Sequence, residues 1–94
     1  MVGTKAELML EFHRADGYRL AIPYIDIKEI ETQDPAKGFQ IRTAARKFTL
    51  EGANLERCYR YLKQNRIAEL KEASRPTAMA AIADEAVITS LRIQ

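Results

Sequence analysis

In the segment ELMLEFH, Leu8, Leu10 and Phe12 alternate with Glu7, Met9, Glu11 and His13. That period of two predicts a half-buried strand ending near Arg14. Asp16-Gly17 follows where a tight hairpin needs residues tolerant of positive φ, and Tyr18, Leu20 and Ile22 resume the alternation. Pro23 lacks a ladder donor and should close this second strand or sit at an edge, which makes PYIDI a corner. Ile25 and Ile27 share one parity and Ile30 has the other, so a bulge, a single helical turn or a break is expected between Ile27 and Ile30. A third strand is expected over about 28–33.

The cluster QDPAKG reads as a turn. Phe39, Ile41 and Thr43 then alternate with Gln40, Arg42 and Ala44, and Phe48 and Leu50 with Lys47, Thr49 and Glu51, giving strands four and five. The intervening AAR holds no Gly or Asn, so this pair is read either as a hairpin or as one long bent strand. After Gly52, Asn54 is a candidate N-cap and Glu56 a favourable first-turn carboxylate, so a helix is predicted over about 54–73. At about 100° per residue, Leu55, Cys58, Tyr59, Leu62, Leu70 and Ala73 form its apolar stripe, with Arg57, Arg60, Gln64 and Lys71 opposite. Pro76 in SRPT excludes continuation. TAMAAIADEA reads as a short helix or a connector, and Val87, Thr89, Leu91 and Ile93 mark a last strand. The pattern as a whole predicts one α+β domain over 1–94: an antiparallel sheet of five or six strands, one long amphipathic helix packed on one face, and a C-terminal strand.

Composition adds limits. A chain of 94 residues, 47% hydrophobic and 30% charged, can build one core and bury roughly two thirds of its unfolded surface. Its net charge of +2 is too small to argue by itself for a polyanionic partner. Distribution says more: residues 1–38 carry five basic and seven acidic side chains, residues 39–76 nine and four, and residues 77–94 one and two. One cysteine, Cys58, leaves no internal disulfide or thiolate metal site. The N-terminal MVGTKAELML has no apolar run of signal-peptide length, and no stretch approaches about 20 apolar residues. A soluble cytoplasmic protein without a membrane span is the expectation.

Candidate chemistry is sparse. His13, the one histidine, has Glu11 on its strand face and Asp16 nearby without a catalytic or ligand spacing, and reads as a half-exposed strand histidine. Cys58 on the apolar stripe reads as packing. Asp26, Glu29, Glu31 and Asp34 fit no calcium loop. No GxGxxG, GxxxxGK[ST], GxSxG or HExxH is present, so no catalytic residue, metal ligand or cofactor is assigned. The basic residues remain. Arg42 and Lys47 should point outward from their strands, while Arg57 and Arg60 should leave the helix on the other side, with Arg46, Lys63 or Arg66 as possible bridges at an edge. Tyr61, well off the stripe, is placed for stacking on a base, and Glu56 and Arg60 have the i, i+4 spacing of an ion pair.

The order of short strands, the Pro-Tyr-x-x-Ile corner in IPYIDIKEIE and the helix after it resembles bacterial pleckstrin-homology-like domains over about residues 18–72. That resemblance implies a strand-corner-strand unit capped by the helix. The chain departs from it in having at most five strands before the helix and one after. No lipid-headgroup site is carried across. The same stretch resembles the all-β DNA-binding domains of some response regulators, without a base-reading motif.

A complete core pattern without a reactive constellation points first to a non-enzymatic interaction or regulatory domain, binding a protein or a second copy of itself. The alternative is a nucleic-acid-binding domain using Arg42, Arg46, Lys47, Arg57, Arg60 and Lys63. An enzyme whose site forms between subunits is the third reading.

Overall fold

A computed structural model describes residues 6–74 and 85–94. Among these residues, seven strands and one short α-helix follow in the order β1 (Met9–His13), β2 (Arg19–Pro23), β3 (Ile27–Glu31), β4 (Gly38–Thr43), β5 (Lys47–Ala53), α1 (Glu56–Leu62), β6 (Glu69–Lys71) and β7 (Val87–Ile93). The chain is α+β as expected, but the strands divide between two sheets. β2-β1-β6 is a mixed three-stranded sheet in which β1 and β6 run parallel, and β3-β4-β5-β7 is antiparallel. A lone parallel bridge between Glu72 and Ile88 links β6 to β7.

The first half forms as its pattern dictates. The β1–β2 hairpin turns through Asp16 and Gly17, whose φ of +96° suits a residue without a Cβ, and Asp16 accepts the Tyr18 N–H at 3.0 Å. Pro23 ends β2 at the edge of its sheet. The corner is a single 3-10 turn over Tyr24–Asp26, and a register shift between Ile27 and Glu29 completes the change of parity. Asp34 closes the next turn by accepting the Ala36 N–H on its side chain and the Lys37 N–H on its carbonyl. β4 and β5 are a hairpin, not one bent strand. Thr43 supplies what the missing Gly or Asn would have, because its Oγ1 accepts the Ala45 and Arg46 amides at 3.3 and 3.0 Å.

The predicted helix over 54–73 is corrected to Glu56–Leu62. Asn54 does not cap it: at φ 60° it turns the chain out of β5, Leu55 occupies the N-cap without a side-chain bond, and the Asn54 amide donates to the Glu85 carbonyl. At the other end the backbone tightens into i to i+3 bonds, and Asn65, at φ 58°, stops it in the left-handed region. Leu70 has helical spacing from Leu62, but tertiary pairing decides its fate. Leu70 pairs in register with Phe12, and both are buried against the free edge of β1. The chain after Asn65 therefore becomes β6 rather than two more helical turns. Residues 77–84 of the alanine-rich segment lie outside the described residues, and β7 forms over the predicted span, although the register shift buries Ile88 and exposes Thr89.

The core gathers Leu10, Phe12 and Ile22 from one sheet and Phe39, Ile41, Phe48, Leu50, Ile88 and Leu91 from the other. Leu55 and Leu62, at the two ends of α1, enter it as well, and the Tyr59 ring tilts against Phe39 at 5.8 Å. Phe12 and Phe48 stack across the sheets with centroids 4.0 Å apart and planes 3° from parallel. Glu72 holds the seam in polar terms. Its carboxylate accepts the Ala15 N–H at 2.8 Å and the Leu91 N–H at 2.9 Å, continuing the ladder that the short β6 leaves unfinished.

Tyr24 is 6% exposed, and its hydroxyl donates to the Ile67 carbonyl at 2.6 Å while accepting the Ile67 N–H at 3.3 Å. Burial pushes its pKa from 10.0 up to about 12; the bond with Ile67 lowers it and the Glu7 carboxylate raises it further. Between pH 10 and about 12 the folded chain keeps this proton and the unfolded chain has lost it, so stability falls as pH rises through that window. Two pKa units correspond to on the order of 3 kcal/mol, all of it present below pH 10. Urea unfolding at about pH 9 and pH 11.5 should therefore show a steeper alkaline loss in the native protein than in Tyr24→Phe, which has no phenol to ionise. Parallel losses would refute this role for Tyr24.

Candidate anion-binding surface

The six cations singled out by the sequence do not form one surface. Arg42 lies on the solvent face of β4 and is already neutralised, with Nη1 bonded to Glu29 and Nη2 3.5 Å from Glu31. Arg46 is exposed in the β4–β5 turn, and Lys47, half-buried, opens β5 with its backbone paired to Gln94. The turn and Lys47 lie at the opposite end of β5 from the point where the chain enters α1. Among the described residues no hydrogen bond, ion pair or ring contact links Arg42, Arg46 or Lys47 to Arg57, Arg60 or Lys63. The sheet half of the predicted site is therefore a solvated face with its own carboxylates.

The helix half is different. Leu55, Cys58, Tyr59 and Leu62 hold α1 against the core, and this turns Arg57 and Arg60 to solvent with Lys63 following. Among the described residues Arg57, Arg60 and Lys63 have no carboxylate within ion-pair distance, and the expected Glu56–Arg60 pair is not made. These cations meet rings instead. Lys63 Nζ lies 4.9 Å from the Tyr59 ring centre, and the guanidinium carbons of Arg60 and Arg66 lie 5.6 and 4.8 Å from that of Tyr61. Arg66 also donates to Gln64 Oε1 at 3.2 Å. Tyrosine rings thus orient Arg60, Lys63 and Arg66, at about 0.5–1 kcal/mol per contact at such exposure. The Tyr59–Lys63 pair has i, i+4 spacing and was open to sequence reading. The place of Arg66 was not, because it depends on the helix ending at Leu62 and the chain folding back.

This folding back brings apolar surface alongside. The Glu7 amide donates to the Asn65 carbonyl at 2.6 Å, and the Tyr24 amide donates to the Leu8 carbonyl at 3.0 Å. Leu8 therefore sits between the end of the α1 loop and the 3-10 corner, and it is 85% exposed, as is Ile25 at 86%. The carboxylates on these segments are Glu7, Asp26 and Glu56, with Asp26 exposed beside Ile25 in the 3-10 corner.

The remaining reactive groups are committed to structure. His13 is not half-exposed: its side chain retains 12% accessibility, with Nε2 2.6 Å from Glu11 Oε1 and 3.3 Å from Glu69 Oε2. The parallel register sets Glu11 beside Glu69, and His13 is the donor between them. Burial pushes the Cys58 thiol pKa up, opposed by nearby positive charge including Arg57, which disfavours the thiolate a nucleophile needs. Among the described residues no group of His, Cys, Asp and Glu is arranged to hold a metal ion, and no helix is long and apolar enough to cross a membrane. Comparison with known protein families, curated proteins and solved structures finds no match to this chain.

Proposed function

We propose that the protein is a small non-enzymatic binding domain whose ligand is a nucleic acid, held through the outer side of α1 and the loop that follows. One observation carries this reading: Arg57, Arg60 and Lys63 share a surface without carboxylate partners among the described residues, with Arg60 and Lys63, like Arg66, on tyrosine rings. Arg57, Arg60 and Lys63 can thus replace condensed counterions at phosphates, which is the main source of affinity in such complexes. The protein-partner reading draws on the exposure of Leu8 and Ile25. A second copy of the chain is disfavoured at this end, because a two-fold axis through the surface would set its cations against each other.

Fluorescence anisotropy with labelled RNA and DNA oligonucleotides across about 50–200 mM salt tests the proposal. Lys63→Gln and Arg60→Gln should each weaken binding and lower the salt slope by about 0.7–0.9, the contribution of one phosphate contact. Arg42→Gln should leave both unchanged, since Glu29 and Glu31 already meet that charge. Failure to bind any nucleic acid at about 50 mM salt, or equal losses from Arg42→Gln and Arg60→Gln, would overturn it.

A further inference from the structure

We infer, resting on that reading, that the ligand is single-stranded and that its unstacked bases lie against Tyr61, Arg66 and the Leu8–Ile25 ledge, while Arg57, Arg60 and Lys63 meet its phosphates. Three features of this end of the molecule carry the inference. First, its aromatic is a platform with cations held on it, the guanidinium carbons of Arg60 and Arg66 lying within 5.6 Å of the Tyr61 ring centre. Guanidinium planes ordered on an aromatic ring stack on bases in their turn, and do so whatever the base.

Second, bare aliphatic side chains lie on segments tied by backbone bonds to the loop after α1, through Glu7 to Asn65 and Tyr24 to Leu8. Leu8 and Ile25 are the most exposed large hydrophobic residues described, at 85% and 86%, on segments joined by the Tyr24–Leu8 backbone bond. A duplex shows a protein its phosphates, sugars and groove edges, with the base faces stacked away, so it offers these side chains little to cover. A single strand exposes the base faces themselves and covers the ledge while its backbone follows the cations. Third, the scale fits. At about 1.5 Å per residue, the seven residues of α1 extend about 10 Å, enough for a few nucleotides and too short to track the repeating phosphates of a long duplex.

The test measures anisotropy of labelled 12-mers of oligo(U) and oligo(dT), of a DNA duplex of the same length and of a heparin fragment, all at one salt concentration. Single strands should bind at least about tenfold more tightly than duplex or heparin. Tyr61→Leu, which keeps apolar bulk where the ring is partly buried, should weaken single-strand binding by about 5- to 100-fold, the range for losing one stacked base. It should barely change the duplex and heparin values. Leu8→Ser, at an exposed site, should act in the same direction less strongly, and Lys63→Gln should weaken all three ligands. Circular dichroism melts establish that each variant is folded.

Duplex or heparin binding as tight as single strand, or equal weakening of all three ligands by Tyr61→Leu, would overturn the inference and leave the nucleic-acid proposal standing. Absence of any nucleic-acid binding would remove both. Phosphatidylserine vesicles form the last arm: Leu8-dependent capture by vesicles, with no preference for single strands, would assign the ledge to a lipid surface and overturn the inference.

Discussion

Phe12→Ala is expected to lower the unfolding free energy by about 3–5 kcal/mol, the loss typical of truncating a fully buried aromatic ring. Phe12 is fully buried, as is Phe48, and their rings stack at 4.0 Å. The two residues belong to different sheets. Deleting the ring therefore opens a cavity at the junction and removes a stacked contact between sheets that share one core and are also joined by the Glu72–Ile88 bridge and the bonds around Glu72. Domains of this size are stable by roughly 5–14 kcal/mol, so the variant should unfold at much lower urea, or be unfolded in buffer. Phe12→Leu, which fills most of the space, should retain the fold at a smaller cost. With Phe48→Leu it completes a cycle whose coupling term should be about 0.5–1.5 kcal/mol for the ring pair. A Phe12→Ala midpoint corresponding to less than about 1 kcal/mol lost would mean that the sheets do not depend on this contact.

Phe12 also shows how far the sequence could be read. Its parity with Leu10 placed it on a buried face, as did the parities of Phe39 with Ile41 and of Phe48 with Leu50, so most core positions followed from alternation and turn chemistry. Alternation states which residues face inward but not which strand lies beside which. The division into two sheets thus stayed hidden, because it rests on the pairing of Phe12 with Leu70 across 58 positions. The same pairing explains the overlong helix. Leu70 and Ala73 fit the helical stripe of Leu55 and Leu62 as well as an extended segment, and only the open edge of β1 separates the two. The binding surface was legible in part. The helical spacing predicts Arg57 and Arg60 as outward cations and Lys63 as a bridge at an edge, whereas the neutralisation of Arg42 needs the β3–β4 register that sets Glu29 opposite it. Leu8 was read as a core residue from its parity with Leu10, yet it lies before the start of β1 and is almost fully exposed.

Gly52→Ala should cost about 3 kcal/mol or more, although it adds a single methyl group. Gly52 lies in β5 where the register with β7 shifts, so that Glu51 pairs with Ser90 and Gly52 with Ile88, leaving Thr89 as the extra residue. On one side its amide donates to the Lys37 carbonyl at 2.9 Å. On the other, an added Cβ would overlap the Val87 carbonyl oxygen and come within 3.0 Å of Ile88 Cα and the Val87 carbonyl carbon. Both obstacles are backbone, so no rotamer change relieves the clash and β7 must move away from β5. That displacement would pull Ile88 and Leu91 out of the core and break the bonds from Ala73 to Ile88 and from Leu91 to Glu72, releasing the seam between the sheets. Gly17→Ala is the contrast. Nothing lies within 4 Å of a Cβ there, so its cost is the left-handed conformation alone, about 1–2 kcal/mol. Urea titrations of the two variants should thus separate clearly, with hydrogen exchange at the Ala73 and Leu91 amides accelerated most in Gly52→Ala. If Gly52→Ala were no less stable than Gly17→Ala, the close approach of β7 to β5 would be wrong.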